Sequence, residues 1–488
     1  MPEQLDLPFR SAADLTIALN RRQIGARELL DLYWSRVERL NPELNAIIVD
    51  DIEGARRRAD EADAALARGD HVGPLFGLPM TIKESFDWTG TPTTWGLPEH
   101  RNAIAKDNAD AVQRLIAAGA NIFGKTNVPL YLADWQSFNE IYGTTNNPWD
   151  LSCGPGGSSG GAAAALAAGL TGLELGSDIG ASIRNPAHYC GVYGHKPTFG
   201  LVSYRGHALP GSVTVPDISV AGPLARSAVD LDLALSVLSG ASMIERRAWQ
   251  ADVAPPRHTR IADFRIAVMT SDPVAEVDQP IQDAIVRLAE FLNSKGAVIN
   301  DTARPDFDTA KAHAVYLTML RAATSRRQSE AEYEINKGRV AQLAEDDTSY
   351  EAQMLRAYVM PHRDWLGVDE ERHRMRLKWD EFFREYDVLL CPAAATTAFP
   401  HNQEGERWER MVTVNGKDQP GTDQLFWAGY SCGFYLPGTV APIGFCDKGL
   451  PIGVQIVGPQ FGDRTCIELA KLIEREYHSF APPPLATQ

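Results

Sequence analysis

The chain has 488 residues, 44% apolar and 23% charged, enough for one large domain or two to three ordinary ones around a sizeable core. Its 63 acidic and 47 basic residues leave a formal net charge of −16, which argues against nucleic acid and anionic membrane as partners. Its six cysteines are scattered without a C-x-x-C pair and read as reduced core thiols, not a disulfide framework. The opening MPEQLDLPFRS lacks a basic region followed by an apolar run, so no signal peptide is expected and the cytoplasm is the default location.

In chain order, the first seventy residues read as helical. Ser11 with Asp14 resembles a capping box with Asp in place of Glu. Residues 27–40 place Leu29, Leu30, Tyr33, Val37 and Leu40 at helical spacing, and residues 51–68 form a charge-laced helix. An apolar segment at 74–83 predicts a strand that ends at Lys83. A helix over 107–118, closed by Gly119, precedes a strand at 120–123. The same helix–Gly–strand unit recurs at 280–299, after a strand at 265–269. This alternation predicts an α/β layered fold with a mostly parallel sheet. The uncharged stretch 151–173 is half Gly and Ser, and its apolar part is too short to span a membrane. Residues from about 305 to 385 form a charged helical excursion. Strands at 386–391 and 451–457 and a helix at 464–477 close the chain. No linker divides it, so a single domain over 1–488 is expected.

The chemistry concentrates between residues 154 and 197. Gly154-Pro155-Gly156-Gly157-Ser158-Ser159-Gly160-Gly161 followed by an Ala-rich run reads as a loop entering a helix N-terminus. It lacks the Gly-Lys-Ser/Thr of a P-loop. Phosphate binding, a catalytic serine site and a structural turn all remain open for this segment alone. Gly176-Ser177-Asp178-Ile179-Gly180-Ala181-Ser182-Ile183-Arg184 is either a tight turn around a buried Ser or a run of amides able to form an oxyanion hole. A serine nucleophile needs a base, and neither His188 nor His195 has the setting of one. Lys83, emerging from an apolar strand, is the candidate. A lysine of ordinary pKa, near ~10.4, is neutral in only about one molecule in 2,500 at pH 7, so burial must lower it.

These segments, with Gly77–Glu84, Gly124–Asn127, Gly143–Asp150 and Gly194–Thr198, resemble the amidase signature family of serine hydrolases. The resemblance is specific from about residue 25 to 230 and looser beyond. It implies a central mixed, twisted β-sheet covered by helices on both faces. It implies Ser182 as acyl-accepting nucleophile, Ser158 as proton relay after a cis peptide from Gly157, and Lys83 as base. It further implies an oxyanion hole from the amides of Ile179, Gly180, Ala181 and Ser182, with Ser159, Asp178 and Arg184 tying the loops together. No cofactor or metal is implied.

Three departures stand out. Ala181 replaces the family's usual Gly, and His195 replaces its usual Leu. The 130–139 stretch differs from the branch that supplies ammonia for tRNA amidation. The expected activity is hydrolysis of a linear amide, anilide or carbamate, with esterase activity as a side reaction. A glutaminase subunit of an amidotransferase is the alternative, and a non-catalytic anion-binding protein a more remote one. A homodimer is left open. Leu132, Trp135, Gln136 and Phe138, together with Phe426, Trp427 and Tyr430, are expected to line a pocket for a compact aromatic substrate.

Overall fold

The computed structural model describes residues 7–70 and 73–487. The expectation about a signal peptide rests largely on residues 1–6, which lie outside the described residues. Eleven strands form one sheet: β1 (Ile47–Asp50), β2 (Pro79–Lys83), β3 (Asn121–Thr126), β4 (Glu174–Asp178), β5 (Tyr193–Lys196), β6 (Val220–Ala225), β7 (Arg265–Val268), β8 (Val298–Asn300), β9 (Val388–Pro392), β10 (Gly438–Phe445) and β11 (Pro451–Val457). Their spatial order is β1-β3-β2-β4-β6-β5-β10-β11-β9-β7-β8.

The expectation of a mostly parallel sheet is corrected. Only β2–β3, β2–β4, β7–β8 and β7–β9 pair in parallel. The six pairings β1–β3, β4–β6, β5–β6, β5–β10, β10–β11 and β9–β11 are antiparallel. The sheet is therefore mixed. Strands β5, β6 and the first half of β10 are buried throughout; β6 and β10 are rich in Gly, Ala and Pro, and β5 is Tyr-Gly-His-Lys. They show neither apolar alternation nor a Val/Ile-rich run, so periodicity passes over them.

Helices cover both faces: α1 (Ala12–Asn20), α2 (Ala26–Leu44), α3 (Ile52–Arg68), α4 (Asp110–Ala117), α5 (Gly160–Ala167), α6 (Arg184–Cys190), α7 (Ala228–Leu238), α8 (Gln279–Ser294), α9 (Thr309–Thr324), α10 (Glu330–Val340), α11 (Tyr350–Tyr358), α12 (His362–Glu385), α13 (Leu425–Cys432), α14 (Asp463–Glu476) and a last short turn at Pro484–Thr487. Ser11 caps α1 by accepting from the Asp14 amide at 3.0 Å, but Asp14 does not return the bond that a full capping box needs. Helices α9–α12 fill the region expected to be helical. The uncharged stretch 151–173 resolves into a loop, the buried eight-residue α5 and the approach to β4. Among the described residues no helix is long and apolar enough to cross a membrane.

Two features of this topology position the site. β2 and β4 are neighbouring parallel strands, with Thr81 beside Glu174 and Ile82 beside Leu175. Lys83 and Asp178 therefore end neighbouring parallel strands, Asp178 two residues beyond the level of Lys83, at the edge where α/β sheets collect ligands.

Candidate active site

Lys83 is fully buried, and its stem is fixed by the wholly buried strand β2. Its Nζ lies 2.7 Å from Ser158 Oγ and 2.9 Å from Ser177 Oγ. No carboxylate within ion-pair distance of it is found among the described residues. Burial lowers its pKa from 10.5 to about 7, against the weaker raising effects of Asp178, Glu174 and Glu84. A buried cation without an ion-pair partner sheds its proton in preference to carrying its charge into a low dielectric.

Ser158 follows a cis peptide from Gly157. Only glycine fits at 157: a Cβ there would lie 2.3 Å from the Asp134 carbonyl oxygen. Four amides of the Gly-rich loop are occupied. Gly157 N–H donates to Asn185 Oδ1, Ser159 N–H to Ser182 O, Gly160 N–H to Ser137 Oγ and Gly161 N–H to Asn127 O. A phosphate would find few free donors here, so the loop is scaffolding for Ser158.

The β4–α6 turn carries Ser182. Of Lys83, Ser158 and Ser182, only Ser182 lines an open cavity. The buried Asp178–Arg184 pair (2.9 Å) braces this turn. Burial alone would raise the Asp178 pKa, but the guanidinium beside it and donated amides hold it well below the usual carboxylate range. Arg184 also reaches across to Ala428 O and Ser431 Oγ. Ser159 contributes its amide to Ser182 O at 3.0 Å and its hydroxyl to the Ser177 backbone.

Of the four amides expected to form an oxyanion hole, one is not free. Ala181 N–H donates to Asp178 Oδ1 at 2.9 Å, so it is spent on the brace. The amides of Ile179, Gly180 and Ser182 have no partner among the described residues. Every carbonyl of the turn is held. Ile179 O accepts from Tyr316 Oη (3.1 Å), Gly180 O from Trp135 Nε1 (2.8 Å), Ala181 O from Asn185 N (2.7 Å) and Ser182 O from Ser159 N. Anchoring the oxygens fixes the peptide planes, which preorganises the amides before any charge develops. Ala181 reaches this geometry at φ +67°, a left-handed angle that glycine would adopt more cheaply.

The predicted pocket residues divide. Leu132, Trp135 and Gln136 line the cavity. Gln136 spends its amide on both backbone groups of Asn402, at 2.7 and 2.8 Å, so it fixes a wall. Phe138 is not on the lining and lies under the Arg410 guanidinium, 5.7 Å away. Phe426, Trp427 and Tyr430 are corrected to core residues. They are buried on α13, packed against one another, His313 and Trp379, and none faces the cavity. Their apolar run is a helix buried on all sides, a pattern periodicity does not separate from a pocket wall. His188 and His195 are both buried and bonded, His188 to Thr396 O and Gly453 N, His195 to Thr439 and Asp463.

Sequence reasoning missed Tyr316, Arg321 and Arg327, which reach the site from α9 and the turn after it. The signal was present: Tyr316, Leu320 and Thr324 repeat every four residues and share one helix face. Tyr316 approaches because residue 429 is Gly. A Cβ there would lie 2.2 Å from the tyrosine ring. Gly429→Ala is therefore expected to displace Tyr316 and cut kcat at least tenfold with the fold retained, measured by steady-state kinetics beside a circular-dichroism melt. Tyr316→Phe keeps its ring and removes one carbonyl anchor. It is expected to lower kcat about 5–50-fold with KM little changed, less than the ~10²–10³ lost with an oxyanion donor itself. A change confined to KM would show that the anchor acts on binding alone.

A sequence model of the family described as Amidase matches residues 28–467. The chain belongs to the amidase signature family. It is 31% identical to the indoleacetamide hydrolase of Bradyrhizobium diazoefficiens, over 95% of this chain and 86% of that protein. It is equally 31% identical to a component of the glutamyl-tRNA(Gln) amidotransferase of Roseiflexus sp., over 96% of this chain and 97% of that one. Among solved structures it superposes on 6-aminohexanoate cyclic dimer hydrolase with TM-score 0.79 and 27% identity, covering 99% of this chain and 100% of that one.

Proposed function

We propose that this amidase signature protein hydrolyses linear amides through an acyl-enzyme on Ser182. The observation that carries the reading is the buried Lys83 Nζ, without a carboxylate partner among the described residues, 2.7 Å from Ser158 Oγ. Neutral Lys83 takes the Ser158 proton as Ser158 takes that of Ser182, and Ser182 Oγ attacks the amide carbon. The Ile179, Gly180 and Ser182 amides bind the resulting oxyanion. The proton returns through Ser158 to the leaving nitrogen, the amine departs, and water deacylates Ser182 by the same relay in reverse.

In this reading the substrate is an amide, anilide or carbamate, with esters cleaved as a side reaction. Aromatic contact to it comes from Trp135, Tyr350 and Phe399, which line the cavity. The indoleacetamide hydrolase relative supports an aromatic amide. Comparison of kcat/KM for 4-nitroacetanilide, indoleacetamide, an aryl carbamate and a long-chain fatty amide tests this. A tenfold advantage for the fatty amide, about 1.4 kcal/mol of transition-state preference, overturns the aromatic part. Inertness toward all four, with no fluorophosphonate adduct on Ser182, overturns the hydrolase.

The amidotransferase relatives support a second reading, in which the chain is the glutaminase of a larger complex. The cavity's charge weighs against it. The lone carboxylate on the lining among the described residues, Asp134, is already paired with Arg410 at 2.6 Å, which leaves none of them for the ammonium of glutamine. Glutamine hydrolysis that depends on partner subunits would select this reading over the first.

A further inference from the structure

The cavity at Ser182 carries four guanidinium groups, Arg321, Arg327, Arg407 and Arg410, against one carboxylate, Asp134. Asp134 is neutralised by Arg410. Among the described residues none of the other three arginines has an acidic partner within ion-pair distance. Arg321 is only 7% exposed. It touches the Tyr350 hydroxyl and lies over the Tyr350 ring, 5.3 Å from its centre. Arg327 donates to Tyr131 O at 2.8 Å and lies over Trp95. Arg407 lies over Trp408. Carbonyls, phenols and rings orient these cations without cancelling their charge. A protein of net charge −16 thus keeps surplus positive charge on the wall of this cavity, with Arg321 buried there. Buried charge without a counterion is costly unless a ligand supplies one.

The unused hydrogen-bonding capacity points the same way. Arg321 Nε, Gln424 Nε2 and Thr422 Oγ1 are buried without a partner among the described residues, and all three residues line this cavity. Gln424 has its oxygen fixed by the Ala395 amide, so its free end is a donor. Two of these groups can only donate and the third can, beside guanidinium forks that match the two oxygens of a carboxylate.

We propose, resting on the amidase reading, that the substrate carries a carboxylate besides its scissile amide, and that Arg321, with Arg327 and Arg407, holds it. Tyr316 touches the Ser182 turn, Arg321 follows five residues later on α9, and Arg321 and Ser182 line one cavity. Monoamides of dicarboxylic acids fit this description.

The test is calorimetric binding to Ser182→Ala of the mono-4-nitroanilides of glutaric, adipic and pimelic acids and of their methyl esters. At the best length the acid is expected to bind at least tenfold more tightly than its ester. That ratio is expected to fall toward one when Arg321→Gln or the less buried Arg327→Gln is added, with melting curves recorded for each protein. Esters that bind as well as acids at every length, no binding of any acid, or an acid preference that survives both arginine substitutions would overturn the proposal. Turnover of neutral 4-nitroacetanilide and fluorophosphonate labelling of the unsubstituted protein report on the hydrolase separately. If those succeed and the acids show no advantage, only the carboxylate subsite falls. If those fail, the calorimetry still decides whether the arginines bind an acid.

Discussion

Ser182→Ala is expected to lower amide turnover by at least ~10³-fold while leaving the melting temperature close to that of the unsubstituted protein. The two halves have separate physical grounds. Ser182 Oγ makes no hydrogen bond to a described residue, so its removal leaves no buried group unsatisfied. The neighbouring serines cannot substitute. Ser158 Oγ is bonded to Lys83 Nζ, Ser159 Oγ is engaged with the Ser177 backbone, and both serines are buried off the cavity. Turnover and a thermal melt measure the two effects, and mass-spectrometric mapping of a fluorophosphonate adduct locates the nucleophile. An adduct on Ser158 or Ser159 would refute the assignment, as would more than a few per cent of residual turnover in the alanine variant.

The parts of this site that lay in the sequence were those built from local backbone. Gly157-Ser158-Ser159 and Ile179-Gly180-Ala181-Ser182 are contiguous, and an apolar run leading to Lys83 predicts a buried strand end. What could not be read locally was which amides the turn has left. Ala181 counts as an oxyanion donor until the Asp178 carboxylate is seen to take its N–H at 2.9 Å. The same limit applies to the cavity wall. Phe426, Trp427 and Tyr430 carry the composition of a pocket, but α13 is buried on every side, so its rings pack into the core. Arg321 lies in a segment whose charge suggests a solvated helix, yet α9 buries one face against α13 and the Ser182 turn. Composition does not reveal which charged residue of an amphipathic helix turns inward. The sheet behaves alike. The helix–Gly–strand units were visible and their strands do form. The Gly- and Pro-bearing strands that make the centre antiparallel lack a periodic signal.

Lys83→Ala and Ser158→Ala are each expected to cost ~10³-fold or more in kcat/KM, with the double variant no more than a few-fold worse than the worse single. Their side chains touch at 2.7 Å. Residues that pass one proton between them fail together, so the second loss removes little that the first has left. Multiplicative losses in the double variant would show two independent roles and end the relay. The pH profile checks the same lysine by another route. With its pKa lowered by burial to about 7, Lys83 carries its proton below that pH and cannot accept another. Activity should therefore fall as pH drops through about 7, and an optimum near pH 5 would contradict a neutral lysine base. Stability supplies the sign in reverse. Between about 7 and 10.5 the unfolded chain holds a proton on this lysine that the folded chain lacks, so this group makes stability rise with pH across that window. Lys83→Met removes the buried amine at similar length. It is expected to flatten that part of the stability–pH curve and raise the melting temperature at neutral pH while abolishing turnover. A lysine retained as a surface ion pair would give the opposite stability result, because its loss would destabilise the fold.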